Sequence, residues 1–261
     1  MRSDFMFICF ANSQYKVYKM ALDKLHDFTI SFIQQRREAM ENENRPLTSI
    51  KQSKESSDLG IRDKMALLDI LLQSTIDGEP LNDESIREEV DTFMFEGHDT
   101  TTAGIIFTLY LISRHKPVQD RLYDEIVDVI GDDRTTPVTF QTLSNLKYME
   151  AVIKESLRMY PPVPFIGRRL DDDIVLDDGR VIPTDTHFNL MLFVMFRDPQ
   201  YFSNPDEFDP DRFIRIDETT NPFSFIPFSA GSRNCVGQKF ALLEIKSTIS
   251  KILRHYELNP M

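Results

Sequence analysis

The chain has 261 residues, 41% hydrophobic and 28% charged, an ordinary balance that can bury the core of one large domain or two small ones. Its formal net charge of −12 argues against nucleic acid as a partner, because phosphate binding needs a basic surface. Two cysteines, Cys9 and Cys235, stand far apart, which fits a reducing compartment better than a disulfide scaffold, and no apolar run is long enough for a transmembrane helix.

Helical and polar stretches alternate over the first part of the chain. Apolar residues at helical spacing predict an amphipathic helix at about 13–41, which Pro46 stops. The stretch 42–60 is rich in Ser, Lys, Glu and Asn and is typical of a solvated linker. A short helix with one apolar face is then predicted at 63–73.

A long helix is predicted at 83–115, capped by Asn82 or Asp83. Apolar residues lie on nearly every side of it between 90 and 112, which predicts that the helix is buried. Its middle, 96–102, reads E-G-H-D-T-T-T and holds no large aliphatic side chain. Carboxylates in a buried helix are costly unless they are paired or functional. This stretch is therefore either a functional groove or, as the alternative, a surface turn or a pair of salt bridges.

Shorter elements are expected after the long helix. Pro117 suits the first turn of another helix, and Gly131 suits its end. A further helix is predicted at 144–159, with Ser144 as its cap. A β-hairpin is predicted around the Asp-Asp-Gly run at 177–179.

The last third of the chain has weaker patterns and one clear helix. The segment 186–195 is apolar enough for a strand or a buried helix. The segment 199–228 is rich in Pro, Asp and Phe and has no period, so we expect an irregular loop. Apolar residues at helical spacing after Val236 predict a final helix.

Cys235 lies in a run that reads F-x-x-G-x-R-x-C-x-G over residues 228–237. A lone cysteine beside glycines, an arginine and the start of a helix can be held as a thiolate, and such a thiolate is a candidate axial ligand to haem iron. Gly231 and Gly237 let the backbone turn and approach a porphyrin, against which Phe228 can pack. The alternative is a buried free cysteine with no ligand role.

This cysteine run resembles the haem-ligand loop of the cytochrome P450 monooxygenases, and the order of the other motifs agrees with that resemblance. The resemblance implies a mainly α fold with a small β portion, haem b as the cofactor and Cys235 as the iron ligand. Family members also carry an N-terminal membrane anchor, several earlier helices and a hairpin after the last helix. We therefore expect residues 1–261 to form a single partial domain, the C-terminal, haem-side part of that fold.

The polar stretch of the long helix resembles the family pattern [A/G]-G-x-[D/E]-T. By that resemblance, Asp99 and Thr100 are the catalytic acid and alcohol that deliver protons during oxygen activation. Glu96 stands where the pattern has Ala or Gly, which is similar to family 4 of these enzymes, where a glutamate at this place can form an ester with a haem methyl. The resemblance thus implies that Glu96 is a candidate covalent attachment to haem.

Four arginines and a glutamate complete the set of candidate site residues. Glu155 and Arg158 lie at i and i+3 of a predicted helix, a spacing that alone usually marks a surface ion pair. With Arg212 they resemble the family's structural Glu-Arg-Arg triad, which pins the irregular loop under the haem. Arg168 resembles the family's propionate-contacting arginine, with a solvated arginine as the alternative. Arg233, two residues before the cysteine, can hold a propionate in the planar fork of its guanidinium.

The resemblance implies a haem-thiolate monooxygenase that inserts one oxygen atom of O2 into a C–H bond of a small lipophilic substrate, with a fatty acid as the first expectation. Electrons would come from NADPH through NADPH-cytochrome P450 reductase at the endoplasmic reticulum membrane. Two alternatives stay open: a truncated, non-catalytic fragment with weak or no haem binding, and a haem-thiolate isomerase or peroxide-using relative. The intact Asp99 and Thr100 pair speaks against the second alternative.

Overall fold

The computed structural model describes residues 13–42, 66–215 and 221–260. The linker predicted at 42–60 lies outside these residues except for its first position, and so does Cys9. In the described ranges the structure is mainly helical with short strands, as the sequence predicted.

The chain divides into two compact units, Met1–Glu96 and Gly97–Met261, and the single partial domain expected for residues 1–261 stays a prediction. The described part of the first unit holds helix α1 (Ser13–Asn42), helix α2 (Leu67–Leu72), strands β1 (Thr75–Ile76) and β2 (Glu79–Pro80), and the first part of helix α3 (Asp83–Arg114). The second unit begins within α3, at Gly97.

Polar contacts join the helices of the first unit. Arg36 of α1 donates two hydrogen bonds to the carboxylate of Asp69 in α2, at 2.6 and 2.8 Å. The hydroxyl of Thr29 donates to Asp91 of α3 at 2.6 Å. Because both oxygens of Asp69 are bound by one guanidinium, this pair also fixes the orientation of the two helices locally.

Helix α1 was predicted from an apolar stripe, and the helix is confirmed, but the stripe is not buried. Phe28 is 59% exposed and Phe32 is 52% exposed, whereas Ile33 and Met40 are buried. Helical spacing identifies a face without identifying what covers it. No described residue covers this face.

Helix α3 begins where the sequence predicted, and Asn82 caps it by accepting a hydrogen bond from Ser85 N at 2.8 Å. The prediction that the whole helix is buried is wrong for its middle: Phe95 is 68% exposed and Met94 is 49% exposed, because nothing in the described ranges packs over them. Farther along, Leu111 and Ile112 are buried.

The second unit continues with helices α4 (Lys116–Ile130), α5 (Phe140–Asn145), α6 (Lys147–Met159), α7 (Leu192–Met195) and α8 (Gln238–Leu253), and with strands β3 (Ile166–Arg169), β4 (Ile174–Val175), β5 (Val181–Ile182) and β6 (His187–Leu190). The end of α3 packs with α4, α5, α6 and α8 around one apolar cluster. Its fully buried members include Leu122, Met149, Ile153 and Ile249. Burying each such side chain stabilises the unit by about 1.5–3 kcal/mol.

The helix predicted at 144–159 is two helices. Thr139 caps α5 by accepting from Thr142 N at 3.2 Å, and Ser144 lies inside α5 and bonds to Phe140 O rather than capping anything. Helix α6 starts three residues later. Its first amides, from Tyr148 and Met149, donate to the carboxylate of Glu125 at 2.6 and 2.9 Å. A carboxylate from α4 therefore caps α6, which no local sequence signal reveals.

The short strands form two antiparallel pairs in the second unit. The β4–β5 hairpin matches the prediction, with Gly179 in its turn at φ +83°. The segment 186–195 is both strand and helix, since β6 precedes α7. Strand β3, which the sequence did not predict, pairs with β6 so that Arg168 lies opposite Phe188. The described part of 199–228 is irregular apart from a short 3-10 turn at Pro210–Phe213, as expected.

Candidate haem-thiolate site

The loop that carries Cys235 is closed by its own backbone. The amide of Cys235 donates to Phe228 O at 2.9 Å, and a 3-10 turn at Gly231–Arg233 lies between them. Gly231 has φ +81°, a conformation that glycine adopts at little cost. The loop ends at Gly237, the N-cap of α8, so the thiol lies two residues before a helix N-terminus.

The thiol of Cys235 is exposed and takes part in no disulfide. The residue is therefore not a buried cysteine, and its role as an iron ligand stays a prediction. A Cβ added to Gly237 would lie 3.9 Å from the Cys235 sulfur, an ordinary contact distance, so the backbone at Gly237 lies close to the thiol. An accessible sulfur on an open, glycine-bearing loop fits the axial ligand of a flat macrocycle.

Arginines lie on and beside this loop. Arg168, on strand β3, is half-buried and donates to the hydroxyl of Ser229 at 2.8 Å, which joins the strand to the loop. It is therefore not simply a solvated arginine. Arg233 is exposed at the end of the 3-10 turn. Both arginines can supply positive charge at the rim of a bound macrocycle.

Glu155 and Arg158 of α6 form a fully buried ion pair, with neither side chain exposed to solvent. The guanidinium donates to both carboxylate oxygens, at 2.8 and 2.9 Å. Arg212, from the 3-10 turn, donates to the same carboxylate at 3.0 Å. The structure therefore brings the three residues of the predicted triad together, and the alternative of a surface ion pair is wrong.

The triad also binds the irregular loop, which the sequence did not reveal in detail. Arg158 donates to three backbone oxygens, of Phe196 at 2.9 Å, Pro205 at 2.7 Å and Glu207 at 3.1 Å. Together with the two bonds to Glu155, these contacts use all five N–H donors of the guanidinium. One side chain thus fixes the course of residues 196–207.

The polar stretch of α3 lies partly in each compact unit. Glu96 is the last residue of the first unit and is exposed. Asp99 is exposed and Thr100 half-buried in the second unit, where Thr101 is 5% exposed. One turn after Thr100, an added Cβ on Gly104 would lie 3.2 Å from Ile245 of α8 and 3.8 Å from Leu157 of α6.

The close approach at Gly104 shows which way this part of α3 faces. Thr100 and Gly104 are four residues apart and share one side of the helix, the side that contacts α8. Helix α8 is the helix that follows the cysteine loop. This packing is compatible with the Thr100 hydroxyl lying on the cysteine side of α3, and the catalytic roles of Asp99 and Thr100 stay predictions.

No group of three or more His, Cys, Asp or Glu side chains in the described part of the chain is arranged to hold a metal ion. A single thiol provides one ligand and leaves the remaining ones to a macrocycle, as in haem proteins with a cysteine ligand. The residue that sequence analysis missed at this site is Ser229. Its backbone φ of +61° and its contact with Arg168 identify it, and its residue type reveals neither.

Comparisons with known proteins agree with this geometry. The sequence model of the family described as Cytochrome P450 matches residues 2–261. Cytochrome P450 4d2 of Drosophila melanogaster is 54% identical over 260 residues, which are 100% of this chain and 51% of the relative. Cytochrome P450 4d8 of the same organism is 51% identical over 242 residues, 91% of this chain and 51% of the relative.

A third relative, cytochrome P450 4d10 of Drosophila mettleri, is 47% identical over 242 residues, 92% of this chain and 46% of the relative. The chain thus spans about half the length of the curated relatives it matches. With the family match over nearly every residue and the cysteine loop formed as described, the chain belongs to the cytochrome P450 family.

Proposed function

We propose that this chain provides the haem-binding part of a haem-thiolate monooxygenase that inserts one oxygen atom of O2 into a C–H bond of a small lipid-like substrate. The observation that carries the proposal is the exposed thiol of Cys235, on a loop closed by the bond from its amide to Phe228 O and leading into α8. A disulfide-bonded cysteine could not ligate iron, because the ligand is a free thiolate. The family membership supports the same reaction class.

Five other residues would hold haem b around that thiol. Arg168 and Arg233 would bind the propionates, Phe228 would pack against the ring, and Gly231 and Gly237 would let the backbone lie close to it. The N-terminus of α8 begins at Gly237, two residues after Cys235, so the positive end of the helix lies beside the iron ligand. When bound, haem supplies oxygen activation, which electron donation from a cysteine thiolate favours.

The polar stretch of α3 would supply protons, and its first residue, Glu96, would attach haem covalently. Asp99 would take up a proton from solvent, which its exposure allows, and the Thr100 hydroxyl would hold and orient that proton toward the reacting oxygen. Glu96 is exposed and would form an ester with a haem methyl, as the resemblance to family 4 implies. In that step the methyl group would lose one C–H hydrogen as a proton and two electrons to O2 during turnover, and the Glu96 carboxylate would form the new C–O bond. The tether would keep haem in place through turnover.

The partners and location follow from the same family. We propose a fatty acid as the substrate class, NADPH-cytochrome P450 reductase as the electron donor and the endoplasmic reticulum membrane as the site of action. Among the described residues, none of the helices combines the length and apolar character needed to cross a bilayer.

A carbon-monoxide spectrum of the purified, haem-reconstituted chain tests the iron ligand. The reduced carbon-monoxide complex is expected to show the red-shifted Soret band of thiolate ligation, and Cys235→Ser is expected to lose that shift. Absence of haem uptake would instead favour a chain that is not catalytic by itself. An unshifted band in the unmodified chain would contradict Cys235 as the ligand.

Two further measurements separate the roles on α3. Thr100→Ala should keep the Soret shift but divert reducing equivalents from product to hydrogen peroxide, whereas an isomerase or peroxide-using enzyme would be unaffected. For Glu96, haem should elute with the protein on denaturing chromatography in acid, and Glu96→Gln should release it. Release of haem from the unmodified chain after turnover would contradict the ester.

A further inference from the structure

Ser229 has a backbone conformation that serine rarely adopts. Its φ is +61°, in the left-handed region, whereas the glycine of the same loop, Gly231, takes such a value without strain. Its amide donates to Ile226 O at 3.0 Å, so the conformation closes a tight turn just before the cysteine loop. A strained residue persists where its surroundings fix it, and such residues concentrate at functional sites.

The side chain of Ser229 accepts a hydrogen bond from Arg168. The distance from Arg168 Nη2 to Ser229 Oγ is 2.8 Å, and Nη1 donates to Gly167 O, also at 2.8 Å. Strand β3 is itself held by its pairing with β6. The guanidinium is therefore held from two sides by uncharged oxygens.

In the described ranges no carboxylate pairs with Arg168, whereas two carboxylates lie near the adjacent Arg169. Arg169 lies 3.6 Å from Asp185 and 3.9 Å from Asp171, while the contacts of Arg168 are a hydroxyl and a carbonyl. Two of its five N–H donors are used in this way. A half-buried guanidinium so placed has both the charge and the donors to bind an anionic group.

We propose that Ser229 is a positioning residue for haem binding: its hydroxyl holds the guanidinium of Arg168 beside the cysteine loop, ready for a propionate carboxylate. This inference rests on the proposed function. The amide of Cys235 donates to Phe228 O, the carbonyl that directly precedes Ser229, so the iron ligand and the arginine anchor belong to one hydrogen-bonded loop. Holding the arginine in advance removes part of the ordering cost that binding would otherwise carry.

The test is a titration of the full chain with two probes, ferric haem and haem dimethyl ester, whose propionates carry no charge. Ser229→Ala is expected to weaken binding of haem on the order of tenfold, the scale of one hydrogen bond to a charged group, and to leave binding of the ester unchanged. Ser229→Asn is expected to restore binding, because asparagine tolerates positive φ and offers an acceptor oxygen. Ser232→Ala, in the same loop, is the control.

Ser229→Gly separates the hydrogen bond from backbone strain. Glycine removes the hydroxyl but relaxes the left-handed conformation, so it should fold at least as well as the unmodified chain and still bind haem more weakly. In an Arg168→Gln background, Ser229→Ala should have no further effect, because the two residues act through one contact.

The outcomes distinguish this inference from the proposed function. If the unmodified chain binds haem through a thiolate and Ser229→Ala binds both probes as tightly, the positioning role is wrong while the function stands. Equal weakening for haem and its ester would show a merely structural role and would also overturn it. If the unmodified chain takes up no haem, both proposals fail together.

Discussion

Replacing Arg158 with methionine is expected to destabilise the second unit more than any surface substitution, because the guanidinium uses all five donors in a buried setting. It binds both oxygens of Glu155 and the backbone oxygens of Phe196, Pro205 and Glu207. Methionine is a shorter, unbranched side chain of similar volume and has no donor. The variant therefore removes five hydrogen bonds with little change in packing volume.

The expected loss in the free energy of unfolding is about 3–5 kcal/mol, the range found when one partner of a buried ion pair is removed. It is smaller than a sum over five bonds for two reasons. The carbonyls of Pro205 and Glu207 lie at part-buried contacts, where water can replace the arginine. Glu155 keeps hydrogen bonds from Arg212 and from the amide of Asp209. Native proteins are stable by only about 5–15 kcal/mol, so the change is large.

Urea unfolding followed by far-ultraviolet circular dichroism measures this loss. Arg180→Met is the matched control, because Arg180 pairs with Asp178 in a hairpin where both side chains are at least half exposed; that variant should unfold like the unmodified chain. If Arg158→Met does not fold, Arg158→Lys serves instead, since lysine keeps the charge but brings three donors rather than five. An unfolding free energy for Arg158→Met within about 1 kcal/mol of the unmodified chain would refute the reasoning.

Two further predictions concern α6. Burial alone would raise the pKa of Glu150, but hydrogen bonds from Lys154 and Lys246 outweigh it and hold the pKa at about 2, below its ordinary 4.5. The lowered pKa stabilises the fold above about pH 4.5, and the effect is lost as pH falls towards 2. In urea unfolding at pH 7, Glu150→Gln should have a free energy of unfolding lower than that of the unmodified chain by roughly 1–2 kcal/mol, a figure already reduced for solvent screening. If the two proteins still differed by that amount at pH 2, the ionised carboxylate would not be the cause. Ser156→Ala should raise the free energy of unfolding by about 1 kcal/mol, because the buried hydroxyl of Ser156 has no hydrogen-bond partner among the described residues. A variant less stable than the unmodified chain would show that this hydroxyl does make a hydrogen bond.

Local signals in the sequence were enough to predict several elements. Asn82 caps α3 as expected, and Pro117 lies in the first turn of α4. Gly179 lies in the turn of the β4–β5 hairpin with positive φ. In each case the residue acts through its own backbone or a neighbour within four positions, so its chemistry is readable from the sequence.

Other features depend on contacts between residues far apart in the chain, and local sequence patterns do not predict such contacts. The start of α6 is fixed by Glu125, more than twenty positions away, so a cap at Ser144 was a reasonable but wrong prediction. The exposure of Phe95 depends on what covers α3, which periodicity does not report. Ser229 has an ordinary residue type, and only its backbone angle and its contact with Arg168 identify it.

The buried triad and the cysteine loop are linked by aromatic packing. Arg158 binds the carbonyl of Phe196, whose ring lies 5.1 Å from that of Phe225, and Phe225 also packs at 4.7 Å against Phe213. Phe225 lies three residues before Phe228, whose carbonyl closes the cysteine loop. Apolar contacts alone would fill this space, but they would leave the backbone carbonyls of the irregular segment unpaired. A guanidinium satisfies several carbonyls at once and fixes their directions, so an arginine in the core can hold a loop that has no regular secondary structure.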